Sequence, residues 1–135
     1  MSKIKLTIKQ AVFYCLLFIA FHGHAQLSKV HYIPPLTSSD QGNADPIDQY
    51  FYISTPSEEL ISFKIIPSGS EDSDHIEGQV SRDSPYVYTI SNGGFSQLVV
   101  DPVSTSQVFS NKGYIVEADA PIYVSVRMNA GNYAQ

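Results

Sequence analysis

The chain predicts an all-β fold, an antiparallel β-sandwich behind a signal peptide, and three observations predict it. Short runs rich in Val, Ile, Tyr and Phe recur with turn residues roughly every eight to twelve positions. Several of them alternate apolar and polar residues with the two-residue period of a half-buried strand. No long segment carries the 3.6-residue periodicity of an amphipathic helix, and the chain has neither Trp nor an internal repeat.

The amino terminus is set apart from the rest. Lys3, Lys5 and Lys9 precede an unbroken apolar run, Ala11 to Phe21, which is followed by His22-Gly23-His24-Ala25. A basic start, an apolar stretch of this length and small residues before Gln26 fit a secretory signal cut after Ala25. The run is too short to cross a bilayer core of roughly 30 Å as a helix. Cleavage would leave Gln26 to Gln135, 110 of the 135 residues. That is one domain, large enough to bury somewhat over ~60% of its unfolded surface without cross-links.

Removing the signal takes away the single cysteine, Cys15, so the mature chain has no thiol chemistry, no disulfide and no Cys-based metal site. It also takes three of the eight basic residues and none of the thirteen acidic ones, leaving five against thirteen and a formal charge of −8. Nucleic acid and anionic membrane surfaces recruit clustered Lys and Arg, and that balance disfavours both as partners.

Residues 26–49 read as an extended Pro-, Asp- and Gly-rich lead-in. Pro34-Pro35 favours a polyproline-like path, and Asp40-Gln41-Gly42-Asn43 and Asp45-Pro46 give turn signals. The lead-in is expected to lie along the domain edge through Tyr32, Ile33 and Leu36. Residues 50–135 form the β-sandwich domain, which opens with a strand at Tyr50–Ser54. Thr55-Pro56-Ser57-Glu58 imitates a helix start. The alternation of Ile61, Phe63 and Ile65 with Ser62 and Lys64 then limits it to one turn before the next strand, which Pro67 stops.

After an acidic loop at Ser68–Glu77, a short edge strand is expected at Gly78–Ser81 and a longer one at Tyr86–Ser91. Asn92-Gly93-Gly94 is a tight-turn signal that predicts a hairpin to Ser96–Val100. Gln107–Phe109 adds a short strand. The best-patterned stretch, Asn111–Asn129, predicts a closing hairpin: Tyr114–Ala118 as one arm, Asp119-Ala120-Pro121 as the turn, and the alternating Ile122, Val124, Val126 and Met128 as the second arm.

Few residues suggest chemistry. His31 and His75 are the histidines left after cleavage, and neither sits in a hydrolase or metalloprotease motif, so both read as solvated surface residues. Glu71, Asp72, Asp74 and Glu77 are the candidate metal ligands, because a hard cation wants several carboxylate oxygens close together. Their spacing is not that of an EF-hand, and a solvated loop explains them as well. Asp40, Asn43, Asp45 and Asp48 form a second cluster of the same kind. Tyr50, Tyr52, Tyr86, Tyr88, Tyr114 and Tyr123 fall on expected strands, where they serve either cross-strand packing or, exposed together, recognition of carbohydrate or protein. Gly93-Gly94 opens no helix and so offers no phosphate cradle.

The words His31-Tyr32-Ile33-Pro34-Pro35-Leu36, Tyr52-Ile53-Ser54-Thr55-Pro56 and Asp119-Ala120-Pro121-Ile122-Tyr123-Val124 carry a resemblance. Together with their surroundings, from Gln26 to Gln135, they resemble the amino-terminal region of large surface proteins of gliding, type IX-secreting bacteria. That region is similar to the IgGFc-binding protein N-terminal domain, and many of those proteins end in a type B sorting domain. The resemblance implies a secreted or cell-surface, adhesin-like module with no catalytic residues and no cofactor, whose ligand is an unspecified protein or glycan. Family members continue well beyond this point. The resemblance therefore implies that this chain is an amino-terminal fragment, without its downstream domains and with the Ile122–Met128 strand open to pairing. The competing expectation is a carbohydrate-binding or metal-assisted accessory domain of an extracellular enzyme, and a third is a remnant without function.

Overall fold

The computed structural model describes residues 27–37, 46–92 and 96–130. The segment expected as a signal, the expected turns within residues 38–45 and the Gly93-Gly94 pair lie outside them. The described chain is all-β: β1 (Ser28–Ile33), β2 (Leu36–Thr37), β3 (Pro46–Ser54), β4 (Ile61–Pro67), β5 (Ile76–Val80), β6 (Tyr86–Ser91), β7 (Val99–Val100) and β8 (Tyr114–Ala130). Single 3₁₀ turns at Asp72–Asp74 and Pro102–Ser104 are its helical elements. Six strands form one antiparallel sheet in the order β5-β4-β8-β3-β6, with β1 also paired to β8, while β2 and β7 make a separate parallel pair.

β8 organises this sheet, and it is not a hairpin. The two arms expected within Asn111–Asn129 are one strand of 17 residues that continues, with an irregularity in its pairing to β1, through Asp119-Ala120-Pro121. Its first part pairs with β4, from Pro67↔Tyr114 to Phe63↔Ala118, and its second with β3, from Ser54↔Tyr123 to Pro46↔Ala130. Pro121 falls in the gap between these two ladders, where its missing N–H costs no hydrogen bond. The proline therefore marks a change of partner and not a reversal of direction.

The opposite edge of β8 belongs to β1. Both β1 and β3 run antiparallel to β8 and meet adjacent residues of it, Ser28 at Ile122 and Ser54 at Tyr123. Two such strands cannot occupy one edge, so they flank β8 on opposite sides. The segment expected as a lead-in thus supplies a genuine strand, opposite whose Ser28–Val30 stretch β8 carries extra residues, as well as β2 and the start of β3.

With β4 and β3 placed in succession along it, β8 curls the sheet so that its two ends form the layers of the sandwich. Phe51 and Ile53 of β3, Phe63 and Ile65 of β4, Val80 of β5, and Val116 and Ile122 of β8 are buried between them. Two edge-to-face ring pairs cross the interior, Phe51 with Tyr114 at 5.1 Å and Phe63 with Tyr86 at 5.0 Å. Each such side chain contributes about 1.5–3 kcal/mol by leaving water, and the aromatic pairs add about 0.5–1.5 kcal/mol. The alternation expected in β8 holds: Ile122 is buried, Val124, Val126 and Met128 pack against the core, and Ser125 and Arg127 are exposed.

The hairpin expected between Tyr86–Ser91 and Ser96–Val100 does not form. β6 pairs with β3, and the short β7 pairs with β2. Leu98 and Val99 are instead driven into the core as a plug. Lys112 Nζ holds that plug by donating to the carbonyls of Ser96 and Val99 at 2.9 and 3.0 Å, and Gln97 Nε2 donates to those of Ser68 and Gly113. Ser96 also donates its hydroxyl to the amide oxygen of the fully buried Gln49. Residues 107–109 form no strand, with Val108 wholly exposed, and Thr55–Glu58 form no helical turn.

Candidate functional site

The six strand tyrosines divide by the parity of their strands. Tyr86, Tyr88 and Tyr114 point inward, where burial pushes the Tyr114 hydroxyl up to about 12 and raises that of Tyr88. Tyr50 and Tyr52, which flank the buried Phe51 and so lie on the opposite face, and Tyr123, beside Ile122, point outward. Across the β6-β3-β8 layer the register sets Tyr52 between Val87 and Ser125, and Tyr50 between Thr89 and Arg127. The two rings meet edge to face at 6.2 Å. Tyr52 is 39% and Val87 50% exposed, so the outer face of this paired sheet carries two aromatic rings, an aliphatic side chain and a guanidinium.

The outer face of the other layer is ionic. A shallow groove of about 540 Å³ runs over Ser62, Lys64, Glu77, Gln79, Glu117 and Asp119. Lys64 Nζ pairs with Glu77 Oε1 at 3.0 Å, and Glu117 lies on its other flank in the β4–β8 register. The hydrogen bond to Glu77 and then its charge hold the Lys64 amine above its usual range, with Asp72 and Glu117 adding to the effect.

This arrangement separates the candidate metal ligands. Glu77 belongs to β5 and is engaged by Lys64, whereas Glu71 precedes the 3₁₀ turn that carries Asp72 and Asp74, all three exposed. Asp72 Oδ1 approaches His75 Nε2 at 3.8 Å. Among the described residues no three His, Cys, Asp or Glu side chains gather as a metal-binding group. Of the second cluster, Asp40, Asn43 and Asp45 lie outside the described residues. Asp48 is a β-bulge residue with a φ of 49°, and its carboxylate accepts from Asn129 Nδ2 at 3.4 Å.

The histidines are not the solvated residues the sequence suggests. The side chain of His75 is 16% exposed. His31, on the inward parity of β1, directs Nε2 at the Ile122 carbonyl at 2.9 Å and at the Ser28 carbonyl at 3.2 Å. A carbonyl can only accept, so Nε2 carries the proton. On the other edge of β8, Thr55 Oγ1 donates to the Pro121 carbonyl at 3.3 Å and accepts from the Ser57 N–H at 3.2 Å. Thr55 thus receives the Pro121 carbonyl in the gap between the β4 and β3 ladders, and His31 the Ile122 carbonyl at the end of the β1 ladder. Neither role was signalled in the sequence, where Thr55 read as the cap of a helix start, because the partners lie 66 and 91 residues away.

Among the described residues no helix is long and apolar enough to cross a membrane. Compared with known proteins, the chain matches no family model, no curated protein and no solved structure.

Proposed function

We propose that this protein is a secreted or cell-surface, non-catalytic interaction module, and that it binds its ligand through the outer face of the β6-β3-β8 layer. The observation that carries this reading is the outward-facing Tyr50–Tyr52 ring pair, with Tyr52 exposed, flanked by Val87 and Arg127 on paired strands. Tyrosine and arginine are the side chains that most often anchor protein interfaces, because each combines a large flat contact area with a hydrogen-bonding end. The amino-terminal signal pattern supports export, and the resemblance to adhesin-like surface proteins of type IX-secreting bacteria supports a protein ligand.

The runner-up, a carbohydrate-binding accessory module, draws on the same rings, since a tyrosine face stacks on a sugar as readily as on a peptide. One experiment separates them: the purified chain is tested against immobilised immunoglobulin Fc and against a glycan array. Binding to Fc that is lost in Tyr52→Ala supports the leading reading, and a glycan signal lost in the same variant supports the runner-up. Turnover of a glycosidic or peptide bond by the pure protein would exclude a non-catalytic role.

A further inference from the structure

Among the described residues, part of one edge of β8 has no strand beside it. Beyond Ile122 its β3 side is fully paired, whereas β1 ends on the other side at Ser28, and among the described residues no strand pairs with Tyr123–Asn129 there. Backbone groups of successive residues in a strand point to opposite edges. The Pro121 carbonyl points to the β3 and β4 side, where Thr55 receives it, and the Ile122 carbonyl points to the β1 side, where His31 does. The N–H and C=O groups of Val124, Val126 and Met128 therefore face the open edge.

The sheet's other margins carry devices that discourage pairing. Pro85 leads into β6, β5 is short with a charged Lys64–Glu77 pair and a glycine, and β1 has Lys29. The Tyr123–Asn129 edge has no proline, a single charge at Arg127, and an apolar inner row.

We propose that this edge joins two copies of the chain, β8 pairing antiparallel with the partner's β8 about a two-fold axis at Val126. The register follows from self-complementarity. Val126 meets its own copy, and Val124 meets Met128, so all three residues with free backbone groups exchange hydrogen bonds and the apolar row stays apolar. On the outer face Ser125 meets Arg127 of the other copy, and no like charges are apposed. An axis at Ser125 sets Met128 against Ile122, whose carbonyl His31 already receives, and an axis at Arg127 sets arginine against arginine. A two-fold normal to the sheet keeps both tyrosine faces on one side and so builds one continuous surface from two modules. The pairing does not depend on what that surface binds.

Sedimentation equilibrium of the full chain from micromolar to millimolar concentration tests this, using charge changes at two exposed positions that leave the core alone. A reversible monomer–dimer equilibrium is expected. Ser125→Lys sets two lysines against two arginines and weakens the dimer on the order of tenfold. Ser125→Glu strengthens it by a similar factor, and Ser125→Lys combined with Arg127→Glu restores it. A monomer at every concentration, as when the chain before Leu27 covers the edge, would overturn the proposal. So would a dimer indifferent to all three variants.

Discussion

His31 Nε2 lies 2.9 Å from the carbonyl oxygen of Ile122, joining the first strand to the centre of the last at the point where β8 changes partners. The fold depends on this region because two layers of the sandwich meet there. Removing the donor leaves a part-buried carbonyl without its partner. His31→Phe should therefore cost about 1–2 kcal/mol, read as a fall in melting temperature of roughly 4–8 °C for each kcal/mol in a domain of this size. An unchanged melting temperature would show that water replaces the imidazole at no cost.

Gly78 is dictated by the ring across from it. The two residues are register partners, and a Cβ at position 78 would stand 2.5 Å from the Phe63 ring. Gly78→Ala should cost about 1–3 kcal/mol by overpacking. Combining it with Phe63→Leu should recover part of that loss, so a double-mutant cycle with no coupling would refute the contact.

Alternation along β8 is tested by two adjacent substitutions. Val124→Asp sets a carboxylate on the inner face and should destabilise by about 2 kcal/mol or more, whereas Ser125→Asp, on the exposed face, should change stability by less than about 0.5 kcal/mol. Equal effects in chemical denaturation would mean that the strand is shifted by one residue.

Alkaline unfolding should track Tyr114. Its hydroxyl ionises at about 12 in the folded chain, above the ordinary tyrosine value of 10.0, because burial disfavours the phenolate. The unfolded chain therefore releases this proton first. The corresponding stability is complete below pH 10 and is lost as pH rises towards 12. Tyr114→Phe should move the alkaline midpoint upward; a midpoint unmoved by the substitution would assign the loss to other groups.

What could be read in the sequence was local, and what could not was long-range. Period-two alternation located β4 and the second part of β8, and said which side of that part faces inward, because burial on one face selects side chains residue by residue. Aromatic and β-branched runs located β3, β6 and the first part of β8. Partner choice leaves no such trace. Asp119-Ala120-Pro121 has the composition of a turn, yet here it spans a gap between two ladders, since β4 and β3 arrive from elsewhere in the chain to take the two parts of β8. Ser96–Val100 looked like the return arm of a hairpin because its apolar residues serve equally well as a plug. The tyrosines showed that a face existed but not which of them lined it, since Tyr50 and Tyr88 differ only in the parity of their strands.

Both the tyrosine face and the open edge require β8 to run unbroken through Pro121, and the cross-strand Hα–Hα and amide contacts of that strand in a two-dimensional nuclear Overhauser spectrum test this directly. Contacts of Tyr52 with Ser125 and of Ile65 with Val116, with none between the two parts of β8, are the result expected from the register. Contacts between Val116 and Val124 would restore the hairpin and contradict the account.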